Sequence, residues 1–495
     1  QINSFSAISN YQDMFGRLSI NYSNRFNKHG ITAAVSGETR TRLVDFDLPE
    51  IPSNIIGNLS YDYNKKYFLQ ASVSESYYNR YMPGKRWGTF YAVGGGWDIS
   101  KEAFMESAND VIDQLKLRVV YGLTGNGISN SGYYIWRQTY SSYGAAWYSL
   151  GTSESPGYFT RENFPLANPD ITWEKARKFN AGFDAAFLNN QIQFSADYYY
   201  DYYFDLLQNR GKSIALIGAS YPTENIGELA RTGLELSLTY QSNIGKFNYY
   251  LTGNWNISQS EILFMDEQAL PHDYLYRTGK PVGAFFGLTA NGFLTAEDIA
   301  NGYPVMQGFS NIQPGDVKYI DKNNDGVINE FDASVIGGDK PLSFFGAELG
   351  FEYKGFEFST LLQGVYNRDI YISNRNFTQG FMQQNQHYGQ IYEHLLNRWT
   401  PENSEHATYP RLSVGGNNYN DGNNWGTSLW LKPGNFLRLK NLNIAYTIPE
   451  TVAKQYIGNL RIKLFANAQN FLTVSAYKLI DPEVLFTNYP LQKSI

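Results

Sequence analysis

The sequence has no cysteine, which removes both a disulfide framework and a thiolate site from consideration. Histidine is also scarce. His29, His272, His387, His394 and His406 are scattered, with no G-x-S-x-G elbow or other nucleophile pattern and no metal-ligand pair at helical spacing. Charged residues make up only 17% of the chain, and the net charge of -6 is spread along it without a basic cluster, so nucleic-acid binding has no electrostatic basis. Long apolar runs are missing too. No stretch approaches the roughly 18 uninterrupted apolar residues of a spanning helix, which excludes a helical membrane protein.

Aromatic residues are abundant, at 16%, with 40 Tyr, 32 Phe and 9 Trp among the 495 residues. Tyrosine has an apolar ring and a polar tip, which suits a surface passing from hydrocarbon to water. The strongest local signal is alternation with period two. In 246–258, Phe247, Tyr249, Leu251, Trp255 and Ile257 share one face, and Asn248, Thr252, Asn254, Asn256 and Ser258 share the other with Tyr250. Segments 191–201 and 460–469 alternate in the same way, and 433–447 changes phase between Leu439 and Leu442, the mark of a β-bulge. Soluble strands run to about 5–6 residues. Several of these segments keep alternating for ten or more, near the roughly 9–11 that a tilted membrane strand needs. The reading is therefore all-β: a transmembrane antiparallel β-barrel.

Fifteen strands are expected, near 11–22, 28–39, 55–63, 67–76, 89–98, 113–123, 176–188, 190–204, 225–241, 246–258, 342–353, 355–368, 433–447, 459–472 and one beginning near 491. Short connections fall around Asn64–Lys66, Asn189–Asn190, Ser242–Gly245 and Tyr353–Gly355, with a longer one at 448–458. Long connections at 124–175, 205–224, 259–341 and 369–432 alternate with them. Barrels of the outer membrane have short periplasmic turns and long extracellular loops, so the alternation gives sidedness. Segment 99–112 is the exception, a periplasmic connection long enough for a short helix. The strand count is odd, and open edges in lipid leave backbone groups unpaired, so further strands are expected before Gln1 and beyond Ile495. The chain also starts without the signal peptide an exported barrel needs, so it is read as a fragment or processed chain. The whole of 1–495 is then part of one barrel domain, with 259–341 as a long extracellular loop.

One motif is specific. Asp321, Asn323, Asp325, Gly326, Ile328, Asn329 and Asp332 follow D-x-N-x-D-G-x-I-N-x-x-D, the pattern of a calcium loop. Side chains at positions 1, 3 and 5 converge on the cation, Gly at 6 allows the turn, and position 7 offers its carbonyl. The expected ligands are Asp321, Asn323, Asp325, Asn329 and Asp332 with the carbonyl of Val327, for Ca²⁺ as a structural pin, with Mg²⁺ as the alternative. A polar turn rich in Asn, Asp and Gly is the plainer reading of the same residues. A second cluster, Tyr133, Tyr134, Trp136, Tyr140, Tyr143, Trp147 and Tyr148, either stacks on sugar rings or forms its own loop core and lid contact. The glycines at 94–96 have no following Lys and sit in a strand, so tight strand packing is expected rather than a phosphate loop. His394, in YEHLLNRW, is expected to pack or cap locally.

Several ordered segments carry a family resemblance. They include RWGTFYAVGGGWDISKEAFM at 86–105, LKLRVVYGLTGN at 115–126, NIGELARTGLELSLTY at 225–240 and PVGAFFGLTANGFL at 281–294. PGDVKYIDKNNDGVINEFDASVIG at 314–337, GFEFSTLLQGVYNRDIY at 355–371, NRWTPEN at 397–403, FLRLKNLNIAYTIP at 436–449 and NLRIKLFANAQNFLTVSAYKLIDPEV at 459–484 continue the series. In order and spacing they resemble the SusC/RagA family of TonB-dependent outer-membrane transporters of Bacteroidetes. The resemblance implies a barrel of about 22 strands with a plugged lumen, of which the plug and TonB-contacting segment are not in this chain. It also implies a SusD-like surface lipoprotein as a lid, the TonB complex as energy source, and dimers of transporter–lid pairs. The cargo implied is an oligosaccharide, or a peptide in some members. The leading expectation is import of such an oligomer by a non-enzyme. The rivals are a receptor or adhesin using the barrel as an anchor, and a barrel hydrolase, for which no catalytic geometry is expected.

Overall fold

The computed structural model describes residues 11–45, 48–127, 136–138, 140–143, 159–162, 166–211, 221–309, 311–372, 392–412, 418–458, 460–483 and 491–494. Fourteen long strands form one antiparallel sheet in strict chain order. They are β1 (Tyr11–Phe26), β2 (His29–Val44), β3 (Pro52–Tyr63), β4 (Tyr67–Tyr78), β5 (Trp87–Asp98), β6 (Ile112–Asn126) and β7 (Glu174–Phe187). The series continues with β8 (Ile192–Asn209), β9 (Thr223–Ile244), β10 (Phe247–Phe264), β11 (Ser343–Tyr353), β12 (Phe356–Tyr366), β13 (Phe436–Thr447) and β14 (Lys463–Ser475). Each corresponds to an expected strand. The strands generally extend further toward the long connections than the alternation suggested, because the ladder continues where the side chains no longer alternate cleanly. The fifteenth strand is represented by an antiparallel bridge, Gln469 to Ser494, with hydrogen bonds of 2.8 and 3.2 Å. By compactness the chain divides into Gln1–Leu234 with Ser260–Gln268, and Glu235–Gln259 with Ala269–Ile495.

In the first unit the register lines residues into rows. Ile20, Val35, Gly57, Val73, Tyr91 and Leu123 follow one another across β1 to β6 on one face. That face is apolar and uncovered, with Leu18 75% and Ile20 72% exposed. An uncovered apolar sheet face of this extent belongs against hydrocarbon rather than water. Aromatic rows bound it: Tyr63, Tyr67 and Trp97 toward the short turns, and Tyr77 with Trp87 toward the long connections. The opposite face is polar and internally paired. Arg118 Nε reaches Asp184 at 2.7 Å and its other nitrogens reach Asp197 at 3.0 Å, while Lys178 pairs with Asp201 at 3.1 Å. In the second unit the same separation holds. Leu251 and Trp255 are exposed on the apolar face of β10, while on the other face Tyr250 donates to Glu348 and Asn256 donates to Glu235.

The short turns owe their tightness to left-handed residues, as two-residue hairpins require. Asn64 and Lys65 have φ of 55° and 53°, and Leu188, Asn189 and Asn190 lie at 56°, 58° and 60°. The bulge expected in 433–447 is at Lys440, where the ladders to β12 and β14 both slip by one residue. Gly94–Gly96 sit inside β5, where a Cβ on Gly94 would lie 3.0 Å from Val120, in keeping with close strand packing. Two connections differ from expectation. The 448–458 link is not a simple turn but carries a helix, Glu450–Ile457, opened by Pro449. The short helix expected in 99–112 is two 3₁₀ turns, Ile99–Lys101 and Ala103–Ala108.

Between those two turns Glu102 holds the adjacent strand ends together. It accepts hydrogen bonds from Tyr67 Oη at 2.7 Å, Lys66 Nζ at 2.9 Å and Trp97 Nε1 at 3.0 Å. These three donors draw its carboxyl down from 4.5 to about 2, Tyr67 contributing most. A depressed carboxylate adds stability that is complete above its unfolded value and is lost as pH falls through the folded one. Acid titration of the detergent-solubilised protein is thus expected to loosen this end between about pH 4.5 and about 2, read as a change in tryptophan emission. Glu102→Gln should abolish that component, and an unchanged acid profile in the variant would contradict the assignment.

Candidate functional site in the long connections

The connection after β10 is not a structureless loop. Ala284–Gly287 pairs with Ser334–Gly338, Ala290–Phe293 pairs with Val317–Tyr319, and Thr295 caps a helical turn at Ala296–Ala300 by a reciprocal capping box. Its apolar residues form a core of their own. Leu288, Leu294, Met306, Val317, Tyr319 and Ile328 are buried together with Tyr419 from the next long connection. Polar contacts tie the two connections: Tyr319 Oη donates to the Tyr419 carbonyl at 2.8 Å, and Val317 N–H donates to Asn420 Oδ1 at 2.8 Å. Asp316, fully buried, is met by Asn420 Nδ2 at 3.0 Å and Arg411 Nη2 at 3.0 Å. A buried carboxylate held by a guanidinium and an amide is costly to disturb, so this body is rigid.

The 321–332 loop lies on that body, anchored by Ile328, whose side chain enters the core and whose backbone bridges Met306. The side-chain oxygens of Asp321 and Asn323 both accept from the Asp325 N–H, at 3.2 and 3.1 Å. Asn323 Nδ2 donates to Asp325 Oδ2 at 2.8 Å, and buried Asp332 turns inward to accept from Lys322 N–H at 2.7 Å. Gly326, at φ 85°, supplies the turn. Asn329 is turned differently: its Oδ1 accepts from Phe331 N–H at 2.7 Å and caps the short 3₁₀ turn Glu330–Asp332. The Val327 N–H donates to Asp325 Oδ1 at 2.9 Å, and this bond is the main cause holding the Asp325 carboxyl below its usual range. Among the described residues, no three acidic or histidine side chains are gathered in the manner of a metal-ligand group.

Of the aromatic cluster in 131–148, Trp136, Tyr140 and Tyr143 are described, whereas Tyr133, Tyr134, Trp147 and Tyr148 lie outside the described residues. Trp136 donates its indole N–H to the Arg80 carbonyl at 3.1 Å, and Tyr140 is exposed at the start of a short hairpin with Phe159–Glu162. A separate core joins Tyr78, Tyr81, Phe90, Ile171 and Trp173. His394 packs between Tyr392 and Tyr409, at 5.5 and 5.1 Å between ring centres, which is the local packing expected of it.

Two features escaped the sequence reading. Arg438 of β13, only 1% exposed, meets Asp481 at 2.6 Å and Glu483 at 2.8 Å, while Arg368 Nη1 donates to the Pro482 carbonyl at 2.8 Å. The D-P-E segment after β14 is thereby fastened across β13. The signal was present in the alternation, since Arg438 and Lys440 alternate with the apolar Leu437 and Leu439. The second feature is an open cavity of about 330 Å³ walled by Phe285, Phe286, Tyr371 and Trp425. Its residues come from three separate segments of two connections, so no local motif could show it.

No family model matches the chain. Curated relatives do. The chain is 26% identical over 457 residues to TonB-dependent receptor P3 of Formosa agariphila, covering 89% of this chain and 43% of that protein. It is 26% identical over 453 residues to TonB-dependent receptor SusC of Bacteroides thetaiotaomicron, covering 86% of this chain and 41% of the relative. The chain thus spans less than half the length of the curated relatives it matches. In fold it is similar to the RagAB peptide importer in its closed-closed state, with a TM-score of 0.73 at 22% identity over 98% of this chain and 55% of that one. Ordered motifs and relatives make the chain similar to TonB-dependent receptors of the SusC type, and the sheet shares the fold of their outer-membrane barrels.

Proposed function

We propose that the protein imports an oligomeric nutrient, an oligosaccharide before a peptide, across a bacterial outer membrane in a TonB-dependent manner. The observation that carries this reading is the segregation of the sheet. One face is apolar and rimmed by aromatic rows, the other is a ladder of paired charges and amides, and a buried core joins the long connections after β10 and β12. A wall of this kind separates lipid from a polar passage. In this reading the long connections face the cell exterior, where a SusD-like lipoprotein would rest on the rigid body around Tyr319 and Tyr419. Energy would come through TonB. Deleting the gene is expected to abolish growth on one oligomer while sparing growth on its monomer, which passes general porins. Unimpaired growth on every oligomer, in a strain without a second homologue, would sink the import reading.

The 321–332 loop supports a further part of the proposal, a Ca²⁺ pin. The residue types suit a hard cation: the side-chain oxygens of Asp321 and Asn323 both accept from the Asp325 N–H, Asp332 accepts from Lys322 N–H, and the Asp325 carboxylate would need to turn toward them. These side chains would hold the ion, with the carbonyl of Val327, and Asn329 would need to turn from its cap to join. Extracellular calcium modules work at dissociation constants of about 10⁻⁴–10⁻³ M, and a modest site here would suffice. Chelation is expected to expose segment 314–337 to proteolysis, and millimolar Ca²⁺ to protect it better than Mg²⁺. Asp325→Ala should remove the protection without affecting barrel assembly. Identical digestion with and without the ion would dismiss the pin.

A further inference from the structure

We propose that Arg177, laid against the rings of Tyr202 and Phe204 on the outer face of the sheet, binds the phosphate of a membrane lipid. The inference needs the lipid-facing wall and does not depend on import of any cargo.

The register places Arg177. It pairs with Leu123 of β6 and Tyr202 of β8, which puts all three on the apolar face. Residue spacing gives its level. Tyr67 and Tyr77 in β4, like Trp97 and Trp87 in β5, mark the two aromatic rows and lie ten residues apart. Arg177 is likewise ten residues from Phe187, and Tyr202 ten from Ile192, the pair at which β7 and β8 approach their short turn. Arg177 and Tyr202 therefore stand level with the row nearer the long connections, where hydrocarbon gives way to headgroups. An arginine is expensive at the middle of the apolar band and nearly free at this level.

The surroundings of Arg177 leave its charge unspent. On the inner face Arg25, Arg40 and Lys178 are held by Asp62, Asp13 and Asp201, and Arg118 by Asp184 with Asp197. Arg177 is exposed and has no ion-pair or hydrogen-bond partner among the described residues. Aromatic rings support it instead. Tyr202 and Phe204 stack at 5.5 Å with 13° between their planes. The guanidinium lies 4.9 Å from the Phe204 ring centre and 6.0 Å from that of Tyr202. A stacked guanidinium keeps its in-plane N–H donors free, in the fork that matches phosphate oxygens. Lys175, on the same face, lies 5.9 Å from the Phe204 ring centre and brings a second cation. Two carboxylates border the shelf. Asp205 is taken by Lys175 at 2.9 Å, and Glu228 of β9 stands beside the Tyr202 hydroxyl.

The occupant follows from what adjoins the shelf. Phe179, 36% exposed, then Ala181 and Phe183 continue the same face toward the short turn. A ligand that fits therefore has apolar chains to lie along the band and an anion at their head. A lipid phosphate meets both demands, and basic residues at a membrane surface attract such headgroups.

The test uses the full-length protein, stripped of lipid in detergent and followed by native mass spectrometry. The probes are phosphatidylglycerol, lipid A, inorganic phosphate, and diacylglycerol, which has the chains without the phosphate. A tight adduct is expected with a phosphate-bearing lipid and not with diacylglycerol. An adduct with phosphatidylglycerol assigns a phosphodiester, and one with lipid A alone a phosphomonoester. Arg177→Gln is expected to weaken the adduct about tenfold, the loss of a charge-assisted hydrogen bond. Arg177→Lys, a point charge without the fork, should fall between parent and Arg177→Gln. Arg17→Gln, on the inner face of β1, should leave retention unchanged. Equal retention by the parent and Arg177→Gln would overturn the site. If Arg177→Gln does not assemble, parental retention in Arg177→Lys would overturn it instead. Equal retention of diacylglycerol would assign the binding to the chains, and inorganic phosphate bound as tightly as the lipids would make it a free-anion site. Either result would overturn the lipid assignment.

Discussion

Arg438→Ala is expected to destabilise the assembled protein by about 3–5 kcal/mol, the cost of breaking a buried ion pair by removing one partner. The guanidinium is 1% exposed and is shared by Asp481 and Glu483, whose side chains are 14% and 18% exposed. Removing it leaves two carboxylates close together in a site shielded from water. Lys440, 3.4 Å from Glu483, compensates in part, so the loss should sit toward the lower end of that range. The check is the midpoint of urea unfolding of the barrel in detergent, alongside the gel shift between heated and unheated samples. A triple variant, Arg438→Ala with Asp481→Asn and Glu483→Gln, separates the causes. It should recover most of the loss if uncompensated charge is responsible. Failure to recover would assign the loss to packing of the arginine stem, and an unchanged midpoint in Arg438→Ala would refute the clasp altogether.

Leu251→Arg and Asn254→Arg are expected to part company. Both lie in β10, three residues apart, on opposite faces of the sheet. Leu251 pairs with Leu349 between the aromatic pair Phe247–Phe351 and the Trp255–Phe345 row, so its outward side chain meets the middle of the apolar band. An arginine there costs about 2–4 kcal/mol in a bilayer. Asn254 is exposed on the polar face opposite Gly346, which leaves room for a longer side chain beside hydrated neighbours. Outer-membrane yield and resistance to urea extraction should fall for the first variant and hold for the second. Equal behaviour would mean that the faces have been assigned the wrong way round.

The wall was legible because its physics repeats every two residues. The alternation in 246–258 marked both faces of β10 correctly, and the phase change at Leu439–Leu442 marked the bulge at Lys440, since one inserted residue flips every later side chain. Turn positions were readable from Asn and Gly, which tolerate the left-handed region that tight hairpins demand. The long connections were not readable in this way. The pairing of Ala290–Phe293 with Val317–Tyr319, and the burial of Tyr419 against Tyr319, join residues far apart in sequence through strands of three or four residues, too short to show a period. The D-x-N-x-D-G turn at 321–326 could be read because its hydrogen bonds are local, whereas the walls of the cavity at Trp425 and Tyr371 are brought together only by folding. The helix at Glu450–Ile457 was missed for a different reason: an eight-residue segment sits within the range of an ordinary turn region.

The sheet order also sets a sequence of events. Every strand from β1 to β14 is bonded to its immediate neighbours in the chain, and none waits for a partner from elsewhere. Loop-closure entropy grows with the length of chain that must be gathered, so hairpins joined by two-residue turns zip readily. The costly closures are the few that span a long connection, chiefly β10 to β11 across 265–342 and β12 to β13 across 367–435. The first of these segments builds its own short strands and most of a core, and the second meets it at Tyr419. Folding of these bodies draws the strand ends together, so the long connections shorten the search for the next pairing. A long connection redesigned without its core would be expected to slow the assembly of the adjoining strands.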